Sequence, residues 1–413
     1  MAAIPRRARR LWAYWRNERR TLRQGFVALF ISSGGDLLAG LALSFMSSSL
    51  TALPGLLVLI PAAIGMRGNI FGALGSRLGT GINTGQFEPT RERDSFLGQN
   101  VLGSTFLTLA TCLFLGFAAR IVAGAFFEQT LTVWDFTVIS ILGGVLGSLV
   151  VGGASVGIAI LSHRRRWDLD SVSAPLVTAI GDIATLPALW AAALFVQNVP
   201  QATKVVGIIV SILCLIGTIR GLTNKLPSVR RIVRESLPVL LIAGTIDLLA
   251  GTVIELRVER FVAFPALLIL VPPFLEDTNA LAGILSSRLA SKLHLGLIDA
   301  RPVPQALAWF DVSINFLFAV AVFFMVGVSA QVAATLTHQA SPGLAAMVSI
   351  SLTAGMLATI VSSAVAYYSA VATYRFGLDP DNHGIPITSS VMDLAGTLCL
   401  VLVMLLYGVS AHG

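Results

Sequence analysis

Eleven apolar runs, most of them about twenty residues long, leave this chain few folds to choose from. Their approximate limits are 25–46, 54–84, 101–125, 136–161, 173–197, 204–220, 236–255, 264–294, 306–328, 343–371 and 386–409. A hydrocarbon core is ~30 Å thick and takes about 20 helical residues to cross. Inside it every backbone polar group must be satisfied by the segment itself or by a closed barrel. The alternation that marks barrel strands is absent. The expected fold is therefore an all-α polytopic membrane protein, in keeping with a composition of 55% hydrophobic and 12% charged residues.

The basic residues sort by side. "RRARRLWAYWRNERRTLR", Arg91 with Arg93, "HRRRWDLD", "RGLTNKLPSVRRIVRES" and Lys292 with Arg301 fall on one side, while opposite loops such as "SAQVAATLTHQASP" are nearly uncharged. Positive loops stay inside, so a cytoplasmic N-terminus and an outside C-terminus in the plasma membrane are expected; "ELRVER" is the loop that fits least well. The net charge of +7 is read as topological anchoring against the lipid bilayer rather than as a nucleic-acid footprint. Cys112, Cys214 and Cys399 lie in apolar runs and read as small hydrophobes.

Shifted by 211 residues, the chain matches itself without a gap. Asp36 meets Asp247, Pro61 meets Pro272, Ser76-Arg77-Leu78 meets Ser287-Arg288-Leu289, and Gly85 meets Gly296. Asp168 and Asp170 meet Asp379 and Asp381, Pro175 meets Pro386, and Asp182 meets Asp393. Each half holds five spans, an odd number that alone would invert the second half. The unmatched sixth span, "KVVGIIVSILCLIGTIRG", carries the chain back, so the halves run parallel about a pseudo-twofold axis along the membrane normal. The organisation expected is a basic segment 1–24, repeat one 25–200, a linker helix and loop 201–235, and repeat two 236–413.

Four acids interrupt the apolar spans. Asp36 and Asp182 lie nine or ten residues in, which at 1.5 Å per residue is ~14–15 Å deep, near mid-bilayer; Asp247 and Asp393 follow by the repeat. A charge there costs roughly 2.5–3.5 kcal/mol even on the lenient insertion scale. No Lys or Arg is expected at that depth, since Arg120 falls near an outer helix end and Arg77 and Arg288 near the cytoplasmic interface. The missing positive charge is then a proton or a metal ion, and a twofold set of carboxylates is an oxygen-rich site for a hard cation. Thr178 and Ser389 stand four residues before Asp182 and Asp393, on the same helix face, where each hydroxyl can reach the acid, a coordinated water or the preceding turn. No Cys/His cluster accompanies the acids, which disfavours zinc. The second span, with two prolines and many glycines, would measure ~45 Å from Pro54 to Asn83 as one helix. It either projects into the cytoplasm or breaks near Pro61, Gly65 and Gly68, with Asn69 near the break as a candidate oxygen ligand.

"PAAIGMRGNIFGALGSRLGTGINTG" resembles the signature of the solute carrier 41 family, the duplicated relatives of MgtE-type magnesium transporters, and the resemblance covers the chain after residue 25. It implies Mg²⁺ passage, with Asp182 and Asp393 as the central metal-binding carboxylates on the twofold axis and Asn69 as the motif asparagine. The second half departs from the motif, reading "PPFLEDTNALAGILSSRLAS": Asn279 is one residue out of register and Glu276 and Asp277 are added, so the pore is expected to be chemically unequal there. The ~24 residues ahead of the first span are too few for the cytoplasmic sensor domain of MgtE-type proteins, so gating by such a domain is not expected from this chain.

These readings converge on a non-enzymatic transporter of divalent cations, Mg²⁺ foremost, with Asp182 and Asp393 holding a partly hydrated ion and Asp36 and Asp247 forming a second site or lining the route. Na⁺ or H⁺ stands as the coupling ion, and one chain supplies both halves of the axis, so a monomer suffices. The alternatives are a proton- or Na⁺-coupled carrier of another solute and an intramembrane aspartyl protease. The second rests on two "PAL" tripeptides, at Pro187 and Pro265, which mean little in so Ala- and Leu-rich a chain.

Overall fold

The structure, a computed structural model, describes residues 19–90, 92–165, 169–376 and 385–408. The arm before residue 19, Arg91, Asp168, and the pair Asp379 and Asp381 lie outside the described residues. What is described is helical, with no strand. Repeat one comprises α1 (Arg19–Phe45), α2 (Ser47–Ala52), α3 (Leu56–Asn83), α4 (Phe96–Phe126), α5 (Val133–Arg165) and α6 (Leu169–Asn198). α7 (Pro200–Leu222) joins it to repeat two: α8 (Pro227–Glu255), α9 (Val258–Ala263), α10 (Ala266–His294), α11 (Ala306–Leu336), α12 (Leu344–Phe376) and α13 (Ile385–Leu406). Among the described residues ten helices are long and apolar enough to cross a membrane, and the apolar part of α1, Leu29–Phe45, brings the spans to the expected eleven.

The duplication is visible in the backbone. α2 and α9, and likewise α5 and α12, are displaced by 211 residues at both ends. α3 and α10 both finish on a left-handed glycine, Gly85 and Gly296, whose following amides (Gln86 and Leu297) donate back to Gly81 O and Lys292 O. Ser140 donates to Cys112 O at 2.7 Å, and its mate Ser351 to Phe323 O at 2.7 Å. Arg77 donates to Asn100 at 2.8 Å, while its mate Arg288 meets Asp311 at 2.9 Å. These arginines, expected as interfacial anchors, also pin one helix to the next.

The two halves interlock rather than sit side by side. α1 packs on α10 and α3 on α8, each helix crossing one from the other repeat. At the crossings a Cβ on Gly40 would strike the backbone of Ile269, and one on Gly251 would strike that of Val58. Gly40 and Gly251 are mates, as are Val58 and Ile269, so the same contact is made in both directions, as a twofold rotation requires. Small residues matter here because lipid tails are as apolar as leucine, and helix association rests on close packing. α7 exposes Ile209, Ile212, Leu213 and Ile216 on its outer face, as expected of a lipid-facing helix.

Of the two alternatives for the second span, the structure has the long unbroken helix. α3 does not break: it is continuous α-helix through Pro61, Gly65 and Gly68. Pro61 is the sixth residue of α3, so it deprives only an early carbonyl of its donor. The 28-residue helix is ~42 Å long and must tilt or project. Its first turn is capped from the other repeat: Glu255, in the poorly fitting "ELRVER" segment, accepts from Gly55 N–H at 2.8 Å and Leu57 N–H at 3.0 Å. A buried carboxylate at a helix N-terminus is stabilised by the orphan amides there.

Candidate functional site: acid pairs around the pseudo-twofold axis

A small cavity of ≈ 30 Å³ marks the axis. Its lining includes four mate pairs, Leu43 with Ile254, Ile60 with Val271, Pro61 with Pro272, and Ile64 with Leu275, and it reaches Glu276 and Asp393. Room for about one water is left there. From the opposite end of α10 a larger vestibule of ≈ 610 Å³ rises between α10, α12 and α13, lined by hydroxyls and ending at Asn279 beside Thr388 and Ser389. Between the two hollows Asn279 Nδ2 donates to Asp393 Oδ1 at 2.8 Å.

The four acids are brought together in pairs. Asp36 of α1 and Asp182 of α6 lie near one another in the first repeat, 0% and 2% exposed. Asp247 of α8 and Asp393 of α13 share the other half, both beside Gly65 of α3: a Cβ placed there would lie 2.8 Å from Asp247 Oδ2 and 3.7 Å from Asp393 Oδ2. Glu276 and Asp393 both line the axial cavity, which brings the second pair to the axis. Both oxygens of Asp36 and of Asp247, and one of Asp182, have no hydrogen-bond partner. An ionised carboxylate cannot stay so without a proton or cation.

The remaining expected residues divide. Asn69 is half-buried with its Nδ2 unpartnered. Thr178 is half-buried one turn before Asp182. Ser389 donates to Pro386 O at 3.1 Å, the back-bond to the preceding turn, and lines the vestibule. Ser390 is the hydroxyl beside Asp247, without forming a hydrogen bond of good geometry. Of the second repeat's additions, Glu276 joins the acid group, whereas Asp277 faces Ser33 of α1, whose Oγ is 2.7 and 2.8 Å from its two oxygens.

The expectation that no cation stands at this depth is wrong. Arg67, twelfth residue of α3, is 4% exposed, donates from Nη1 to Ala63 O, and has its guanidinium against Gly144 and Gly147 of α5. It sits inside the quoted motif, between Met66 and Gly68; counting depth from Leu56 would have found it. Among the described residues no three His, Cys, Asp or Glu side chains converge closely enough to hold one ion directly.

The fold is that of a duplicated multi-pass membrane protein with buried acids from both of its repeats. Comparison with known proteins gives the family. The MgtE profile, described as a divalent cation transporter, matches residues 60–192 and again 271–403, two stretches offset by 211 residues that make up well over half of the chain. The chain belongs to the MgtE family of divalent cation transporters. It is 23% identical to rat solute carrier family 41 member 3 over 370 residues, 85% of this chain and 79% of that protein. It is 25% identical to human solute carrier family 41 member 2 over 375 residues, 84% of this chain and 63% of that protein. No solved structure matches the chain significantly.

Proposed function

We propose that the chain carries Mg²⁺ through the plasma membrane as a hydrated ion, along the interface of the two repeats, with Asp36, Asp182, Asp247 and Asp393 as the groups that balance its charge. The observation that carries this reading is the pairing of four deeply buried carboxyls around one pseudo-twofold axis, most of their oxygens without a partner. Mg²⁺ dehydrates reluctantly and keeps several waters, which agrees with acids too dispersed for a direct cage. The vestibule is the cytoplasmic approach if the basic loops lie inside, and the apolar cavity at Pro61 and Pro272 is the closed outer side. A single chain forms the whole axis. Purified protein in liposomes, assayed for Mg²⁺, Mn²⁺, Ca²⁺ and Na⁺ flux with and without a pH gradient, tests this. Mg²⁺ flux abolished in Asp182→Ala and Asp393→Ala is expected; wild-type flux in both variants refutes the assignment.

A further inference from the structure

The vestibule that ends at Asn279 takes much of its polarity from side chains that repeat one does not have. It lies between α10, α12 and α13 and measures ≈ 610 Å³. Four of the polar residues lining it, Asn279, Ser286, Ser369 and Thr388, have Gly68, Gly75, Ile158 and Val177 as mates. Ser369 and Thr388 stand 3.3 Å apart, hydroxyl to hydroxyl, and join α12 to α13. Ile158 and Val177 belong to the apolar core instead. Ala282, also in the vestibule wall, has Phe71 as its mate, a ring lying 3.1 Å from where a Cβ on Gly152 of α5 would stand. Other hydroxyls of the wall, such as Ser291 and Thr373, have polar mates, Thr80 and Ser162. Volume separates the two hollows. An Mg²⁺ with about six waters, each taking ~30 Å³ in the liquid, needs ~180 Å³. The vestibule exceeds that, while the axial cavity of ≈ 30 Å³ falls far below it.

We propose that, on the side of the α10 C-terminus, the hydrated divalent cation travels within repeat two, off the pseudo-twofold axis, along the hydroxyl vestibule and past Asn279 to the axial acids. The inference rests on the transport reading above and specifies the ion's route to its site. Hydroxyl and amide oxygens accept hydrogen bonds from the waters around the ion, so the shell survives the passage. Among the described residues that line the vestibule there is no carboxylate, lysine or arginine to trap or repel the ion on its way. At the inner end Asn279 Nδ2 holds Asp393 Oδ1 at 2.8 Å, so the first acid met is that of repeat two. At the level of Ile158 and Val177 the equivalent path in repeat one offers apolar side chains, and an apolar constriction excludes ions by dewetting.

The test is thiol modification of single-cysteine variants of the full chain, with Cys112, Cys214 and Cys399 replaced by alanine. A cationic methanethiosulfonate is applied to both faces, in lipid nanodiscs for the rate of modification and in liposomes for Mg²⁺ flux, each variant being compared with its own unmodified sample. Ser369→Cys and Thr388→Cys should be modified, more slowly when Mg²⁺ is present. Their flux should then fall by ~10-fold or more, because the attached group fills the passage and adds a like charge to it. Ile158→Cys and Val177→Cys should keep their flux under the same treatment. Equal loss in the repeat-one and repeat-two variants, or flux retained by fully modified Ser369→Cys and Thr388→Cys, overturns the proposal. Each repeat carries two probes, so one variant that does not fold leaves the comparison intact. Wild-type protein that moves no divalent ion would instead sink the transport reading itself.

Discussion

Gly65→Ala separates packing from transport. The added Cβ would lie 2.8 Å from Asp247 Oδ2, where ordinary contact starts at 3.4 Å, so the carboxylate must retreat by about 0.6 Å (3.4 − 2.8). The obstructing atom is the end of a flexible side chain, so the overpacking cost stays at the low end, ~1 kcal/mol. Exchanging glycine for alanine inside a helix returns ~0.8–1.0 kcal/mol. Net stability should therefore change by well under ~1 kcal/mol, while the space between Asp247 and Asp393 is lost and Mg²⁺ flux falls by ~10-fold or more, as when a positioned group is displaced by a fraction of an ångström. Gly72→Ala is the control: it lies on the same helix with nothing within 4 Å of its added Cβ, and should gain the propensity term and keep its flux. Thermal unfolding in detergent and liposome flux on both variants make the measurement. Wild-type flux in Gly65→Ala, or equal loss in Gly72→Ala, refutes the reasoning.

Asp311 is buried between Arg288 at 2.8 Å and Lys292, so Asp311→Ala should cost ~3–5 kcal/mol, against ~1.5–3 kcal/mol for Asn100→Ala at the equivalent place; equal shifts in thermal midpoint would contradict the asymmetry. Glu255→Gln, which removes the charge capping α3, should cost ~1–2 kcal/mol by the same assay, and an unchanged midpoint would count against the cap. Gly251→Ala places a Cβ 2.6 Å from Leu57 O, which is backbone and cannot swing aside, so a loss of ~1–3 kcal/mol is expected; stability gained there would disprove the close crossing of the repeats.

The spans and the duplication were legible because lipid imposes a long, simple pattern and the 211-residue offset is free of gaps. The depth of the four acids was legible for the same reason, a helix being a ruler. Their partners were not. Helix rotation places Asp182 against Asp36, Asp393 against Asp247, and Gly65 against the second pair, and none of these contacts has a signature in spacing. Spacing left a break and a long projecting helix equally open for α3; the position of Pro61 in the second turn, where the lost hydrogen bond costs little, decides for the long helix. Arg67 stands inside the quoted motif, but what seats it does not show in spacing: the room for its guanidinium is made by Gly144 and Gly147 of another helix, α5. Glu255 looked like a misplaced loop charge until its acceptors met the start of a helix from the other repeat.

The direct trial of the account is to locate a bound ion. Mn²⁺ soaked into crystals of the full chain and seen by its anomalous signal should stand at the pseudo-twofold axis, about 4–5 Å from carboxylate oxygens of Asp182 and Asp393 through an intervening water, given metal–water distances of ~2.1 Å and hydrogen bonds of ~2.8 Å. A fully occupied ion more than ~10 Å from all four aspartates, beyond the reach of two such water-bridged contacts, would contradict it.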